Sequence, residues 1–182
     1  RTQKTIESIE KWCQTKDLSI SALKTKIIMF TWNKKWSIRP IRVGGHTIEL
    51  SKNAKFLGVT LDSKLAFNDH VNNIAKKATN NLMLCKKAVG PTWGMSPDTC
   101  RWMYRTIIRP ILCYCTSIWT RALNNQTNAN KLRKVQGLAL RIQTGAMPST
   151  PLSALNVITE TSDIVNFLKG EAAKGTTRLD AY

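Results

Sequence analysis

Residues 53–70 read NAKFLGVTLDSKLAFNDH, and how this stretch is parsed decides the fold. An apolar run, Phe56-Leu57-Gly58-Val59-Thr60-Leu61, ends at Asp62 and passes through a short polar link into a basic helical pattern. Read as a strand over 54–61, it carries a glycine mid-strand, where a missing side chain weakens packing but admits another backbone at close range. The character of the chain also changes here. Strand and turn signals dominate before Asp62, and helical periodicity dominates after it.

Working upstream, Ile6, Ile9 and Cys13 recur at helical spacing with Trp12 beside them, which predicts an amphipathic helix over 2–16. A turn and a β-rich run over 26–32 follow. The segment SIRPIRVGGHTIELS reads as a hairpin whose Gly44-Gly45 supplies the positive φ values of a two-residue turn. Pro40 places its first arm at an edge. The first third is therefore a helix with about four strands.

Downstream, Val71, Ile74, Ala75, Ala78, Leu82, Cys85 and Val89 fall on one stripe, with Lys76, Asn80 and Lys87 opposite. Ser96-Pro97 pairs an N-cap residue with a proline at the first helical position. The helix it opens is expected to run to about Ala122, with Met103, Ile107, Ile111, Tyr114 and Ile118 inward and a kink at Pro110. A third helix over 128–144 uses Leu132, Val135, Ala139 and Ile142 and stops at Gly145. MPSTP is a linker, and shorter helices are expected near 151–156 and 162–174. The expected fold class is α+β: a helix with antiparallel strands, then an all-helical bundle.

Charge is the outlier in composition. The chain carries 28 Lys+Arg against 11 Asp+Glu in 182 residues, a formal net charge of +17. Such an excess favours polyanionic partners, nucleic acid first and an anionic membrane surface second. No run approaches the roughly 18 apolar residues of a spanning helix, because Arg109 and Pro110 interrupt the best candidate, 106–119. The five cysteines are odd in number and lack framework spacing. Cys113-x-Cys115 with only His46 and His70 to help builds no tetrahedral metal site, so no metal is expected, and the thiols read as reduced and structural in an intracellular protein. The sequence enters helical pattern directly from Arg1 and reads as a piece of something longer.

Three basic groups are candidate phosphate contacts. Arg101, Arg105 and Arg109 recur at i, i+4, i+8 without an acidic stripe to pair with. Lys131, Lys134 and Arg141 form a second row, and Lys86-Lys87 a further patch, with Lys76 on the polar face of the same helix. Contacts of this kind give affinity without sequence preference and weaken with salt. Trp12, Trp102 and Trp119 lie in or beside apolar stripes and read as core. Trp32 and Trp36 bracket Asn33-Lys34-Lys35, an arrangement that would suit base stacking if exposed. Trp93 reads as a packing residue of its TWG turn. Asp62 and Asp69 read as turn and helix-start residues rather than metal ligands.

The order of motifs is more telling than any one of them. A helix ending in WC, then LSISALKTKIIMFT, a hairpin, FLGVTLD, a basic helix, TWGMSP, YRTIIRPILCYCTSIW and KLRKVQGLALRIQTGAMPSTPLSAL resembles the C-terminal part of the reverse transcriptase of non-LTR retrotransposons, of the I and Jockey type. The resemblance implies that residues 1–62 end a palm subdomain, 63–146 form a helical thumb, and 147–182 are a linker and the start of a connection region. It places Lys24 of KTK where a complete palm carries a proton donor to the leaving group or a triphosphate contact. It matches Phe56, Leu57 and Gly58 to the hairpin that grips the primer 3′ end. The implied parent is an RNA-directed DNA polymerase using Mg2+, acting on an RNA template and DNA primer in the nucleus, with the rest of the polypeptide as partner.

Two departures qualify the match. Ser21 and Ala22 stand where the family usually has Asn and Pro. No Asp-Asp pair exists, and the scattered acids offer no pair able to hold two metals about 4 Å apart. No catalytic residue or cofactor is thus expected in this chain, whose part is primer–template binding. The rival readings are a stand-alone basic nucleic-acid-binding module and a non-functional relic of a decayed element.

Overall fold

The structure, a computed structural model, describes residues 2–31, 33, 37–90 and 94–179. The readings placed on Trp32, Lys34, Lys35, Trp36 and Trp93 lie outside those residues. The fold is α+β, and the chain divides into two units, 1–65 and 66–182.

The first unit opens with α1 (Thr2–Gln14). Strands β1 (Ile41–Val43) and β2 (His46–Ile48) pair antiparallel, Ile41 opposite Ile48 and Val43 opposite His46. Gly44 and Gly45 close the turn at φ +56° and +78°, as a two-residue turn of this hand requires. Helix α1 is tied to this hairpin by polar groups. The Gln3 amide donates to the Arg42 carbonyl at 3.2 Å and accepts from the Arg42 N–H at 2.9 Å, and Glu10 Oε1 accepts from the Gly44 N–H. Contrary to expectation, no residue of α1 is fully buried, and Trp12 is exposed. Among the described residues of the expected β-rich run over 26–32, the pairing is one parallel bridge, Ile27 with Leu50.

The apolar run at 56–61 is not one strand. It folds back on itself as a second hairpin, β3 (Asn53–Phe56) against β4 (Val59–Asp62), with Phe56 opposite Val59. Leu57 at φ +44° and Gly58 at φ +86° make the turn. The glycine is there because the second turn position needs a positive φ, which a Cβ disfavours. Alternation of Val59, Thr60 and Leu61 beyond a Gly looks the same in a strand and in the return arm of a hairpin. That similarity explains the misreading.

In the second unit, α2 (Asn68–Lys86) buries Val71, Ile74, Ala75, Ala78 and Leu82, the stripe read from sequence. α3 (Pro97–Met103) starts where Ser96 Oγ accepts from the Thr99 N–H. A π-helical turn, Tyr104–Ile108, follows, and then α4 (Arg109–Cys113), α5 (Thr116–Trp119) and a 3-10 turn, Thr120–Asn124. The expected single helix to Ala122 is thus broken twice. Pro110 brings no N–H and crowds the carbonyl four residues back, and the extra residue of the π turn relieves this: the Arg109 N–H reaches the Tyr104 carbonyl, five residues away. Cys115 at φ +52° ends the helical run. The register of the buried face changes with it. Cys100, Tyr104, Ile108, Leu112 and Trp119 face inward, whereas Ile107, Tyr114, Ile118 and Trp102 are exposed.

α6 (Gln126–Thr144) is the central helix, starting where Asn125 accepts from the Thr127 N–H at 2.9 Å and ending at Gly145, φ +68°. Leu132, Val135 and Ala139 are buried as read, and Ile142 partly so. α7 (Leu152–Ile158) and α8 (Ile164–Leu179) pack on it within the same unit. The start of α8 is held by side chains of α6. Buried Gln136 donates to the Ser162 carbonyl and accepts from the Ile164 N–H, both at 2.8 Å. Arg133 makes a two-pronged pair with Asp163, its Nη2 lying 2.8 Å from Oδ2. Such paired bonds at a helix start fix both position and direction.

Candidate nucleic-acid interface

Helices α2 and α6 lie side by side and run the same way. Asn128 Nδ2 donates to Asn68 Oδ1 at 2.8 Å at one end, and Lys131 Nζ donates to Asn72 Oδ1 a turn later. Toward the other end Lys86 and Arg141 line one cavity together. The polar edges of the two helices meet in a seam with two compartments.

The first compartment, about 450 Å3, is lined by Asn72, Lys76, Thr79 and Asn80 of α2 and by Lys131 and Lys134 of α6, over a floor that includes Val135 and Leu138. The second, about 510 Å3, shares Leu138 and is walled by Val89, Ile142, Ala146 and Pro148, with Lys86 and Arg141 at its edge. Among the described residues, no carboxylate lines either one. Arg141 is set in place rather than free. Its Nη2 donates to the Thr150 carbonyl at 2.9 Å, and its guanidinium lies over Gly137, where a Cβ would come within 2.9 Å of Nη1. Chemically the seam offers ammonium groups and amides at one end and an apolar hollow with two cations at the other.

The fold therefore brings Lys76, Lys86, Lys131, Lys134 and Arg141 onto one seam, although they come from two rows 45 or more residues apart in sequence. Lys87 is exposed just past the end of α2. The arginine stripe is placed differently. Arg105 is exposed on the π turn, and Arg101 is half-buried. Arg109 is packed between rings, its guanidinium carbon 4.2 Å from the Phe167 centroid and 5.3 Å from that of Tyr104. This is a cation–π contact joining α4 to α8. Burial raises the Tyr104 phenol above its usual range, opposed by the nearby Arg109 charge.

In the first unit, Phe56 and Leu57 stand at the tip of the second hairpin, 64% and 76% exposed. Leu57 is held in a left-handed conformation that costs a branched side chain about 1 kcal/mol or more. Lys24 is exposed at the end of a one-turn 3-10 helix, Ala22–Lys24. Asp62 acts locally, its Oδ1 accepting from the Lys64 N–H at 3.0 Å, and Asp69 lies in the first turn of α2. Sequence reading missed Asn72, Thr79 and Asn80. Their spacing with Lys76 was a signal, since the four share one side of α2.

Among the described residues no three His, Cys, Asp or Glu side chains gather where they could hold a metal ion. No helix among them is long and apolar enough to cross a membrane.

The curated relatives of this chain are RNA-directed DNA polymerases of non-LTR retrotransposons, of the jockey and R1 kinds. The chain is 26% identical over 144 residues to the RNA-directed DNA polymerase from mobile element jockey of Drosophila melanogaster, covering 79% of this chain and 15% of that protein. It is 24% identical over 164 residues to the Pol polyprotein from type-1 retrotransposable element R1 2 of Nasonia vitripennis, covering 79% of this chain and 40% of that one. It is 25% identical over 140 residues to the probable RNA-directed DNA polymerase from transposon BS of Drosophila melanogaster, 76% of this chain and 15% of the other. The chain thus matches a part of these proteins, as a fragment does. No family model matches it, and no solved structure is significantly similar to it.

Proposed function

We propose that this chain is the end of the palm and the thumb of such a polymerase, and that its work is to hold a primer–template hybrid. The observation that carries this is the α2–α6 seam, where Lys76, Lys131, Lys134, Lys86 and Arg141 converge without an opposing carboxylate among the described residues. Ammonium and amide groups of this kind bind phosphate oxygens and fix register without reading sequence. On this reading residues 1–62 are the palm end and 63–146 the thumb, while α7 and α8 support α6 from the connection region. Phe56, Leu57 and Gly58 press on the primer end, the exposed tip giving a wide apolar contact at little cost in side-chain entropy. Lys24 would serve a nucleotide only within a complete palm.

The parent reaction, RNA-templated addition of deoxynucleotides, uses magnesium in polymerases generally. On this reading the chain's own part is to hold the hybrid, and nucleotidyl transfer belongs to the complete polymerase. The test is the salt dependence of binding to an RNA–DNA hybrid. Replacing Lys131 and Lys134 together by glutamine should weaken binding and flatten the slope of log K against log salt by about 2, one counterion for each lost phosphate contact. An unchanged slope would remove the seam from the interface.

A further inference from the structure

The two compartments of the seam differ in chemistry, and a duplex backbone does not explain both. Phosphates need cations and amides, which the first compartment supplies with Asn72, Lys76, Lys131 and Lys134. The second compartment is walled by Val89, Leu138, Ile142, Ala146 and Pro148. An apolar hollow does nothing for a phosphate and would be left empty by a paired strand, whose bases are turned inward. Its volume, about 510 Å3, lies in the range of ligand-binding pockets. Leu138 lines both compartments, so one continuous ligand can occupy them. Lys86 and Arg141 at the mouth give the hollow the sign that a nucleotide requires.

Resting on the reading above, we infer that the seam takes an unpaired strand flanking the hybrid, with backbone phosphates along Asn72, Lys76, Lys131 and Lys134 and one base lodged in the hollow between Leu138, Ile142 and Pro148. The distance suits this. From Lys131 to Arg141 the helix rises about 15 Å, enough for a few nucleotides of extended backbone. Unpaired bases exposing a flat face are held by apolar side chains as well as by phosphate contacts, with little regard to base identity. Single-stranded overhang, rather than duplex alone, becomes the preferred ligand of this site.

The experiment compares binding of the full chain to three hybrids: blunt, with a single-stranded overhang, and with an overhang of the same length made of abasic nucleotides. The overhang should tighten binding about tenfold over the blunt hybrid, the order expected for burying part of one base face against aliphatic side chains, and the abasic overhang should lose most of that gain. Ala146→Trp, which fills the hollow, should reduce the intact overhang to the level that the abasic one shows on the same variant. Ala146→Ser, which leaves it open, should retain the preference. Equal binding of intact and abasic overhangs, or an Ala146→Trp chain that keeps the preference, would overturn the base pocket while leaving phosphate binding by the seam intact. Loss of all salt-sensitive binding to every hybrid would instead overturn the underlying reading, and the pocket with it.

Discussion

The two units solve the problem of a core in opposite ways. In the second, Val71, Ile108, Leu112, Trp119, Leu132, Leu140, Leu155, Ile164 and Leu168 are sealed from solvent and belong to one bundle. In the first, the buried apolar side chains among the described residues are Ile41, Val43, Ile48 and Val59. Leu18, Leu23, Phe30, Leu50, Phe56 and Leu57 of the same unit are exposed. Two isolated hairpins and a helix tied on by Gln3 and Glu10 do not bury enough apolar surface to be strongly stable, since two-stranded hairpins alone are marginal in water. The difference teaches that the two units spend their apolar residues differently: the bundle seals them in one core, and the hairpins leave much of theirs open to solvent.

This contrast can be broken most directly at Trp119. It is fully buried, and its indole N–H donates to the Tyr114 carbonyl at 2.9 Å. Trp119→Ala should cost the helical unit about 3–5 kcal/mol, the range for emptying a large aromatic site. Denaturant unfolding followed by helical circular dichroism reads this, and a loss below 1 kcal/mol would show that the bundle core is not centred there. Next comes Gln136→Leu, which leaves the Ser162 carbonyl and the Ile164 N–H without their partner. A loss of about 2–4 kcal/mol is expected, from one or two unsatisfied buried groups. Hydrogen exchange should quicken first in α8.

A smaller effect, of opposite sign, is expected in the hairpin. Leu57→Gly relieves the left-handed leucine and should stabilise the turn by about 1 kcal/mol, while removing apolar contact and so weakening hybrid binding. Nuclear magnetic resonance of the hairpin amides together with binding titration would separate the two. A variant that gained both stability and affinity would contradict the role given to the tip. The smallest effect is set by pH. His70 is buried edge-on to Trp119, ring centroids 5.6 Å apart, and burial holds its pKa below the ordinary 6.5. Because the folded value is depressed, its stabilising contribution is present above about 6.5 and is lost as the pH falls below that toward the folded value. The unfolding midpoint of the helical unit should decline over that window, and His70→Asn should flatten the decline. The hairpins should be indifferent to both.

Much of the α+β division and of α2 and α6 was legible because their apolar residues keep a 3.6 period through uninterrupted helix. The Gly44-Gly45 hairpin was legible because two glycines are an unambiguous turn signal. The second hairpin was legible only through the resemblance, and not from local preference, since Leu57 holds a position normally given to Asn or Gly. The stripe through Met103, Ile107 and Tyr114 failed for a different reason. A regular period cannot be carried across Pro110, where a π turn inserts a residue, or across Cys115, where the helix stops. Trp12 and Trp102 show the limit of reading large aromatics as core: bulk says what a residue would gain by burial, not which face it occupies. Of the candidate contacts, the lysines of α2 and α6 were visible singly, and their convergence was not, because it depends on the pairing of two distant helices. Arg109 was legible as a cation and illegible as the filling between Tyr104 and Phe167.

The parallel course of α2 and α6 has an electrical consequence. Every peptide unit in the two helices points its dipole the same way, so their amino ends together carry a fixed positive field and their carboxyl ends a negative one, roughly half an elementary charge for each helix end. Lys86, Lys87 and Arg141 stand near the carboxyl ends, where that field offsets part of their charge. Lys76, Lys131 and Lys134 lie nearer the middle and the amino ends, where it does not. The seam is thus graded along its length, most attractive to an anion at the lysine–asparagine end and less so, though still positive, at the apolar hollow. A short anion placed on it would favour the lysine–asparagine end before any base is touched.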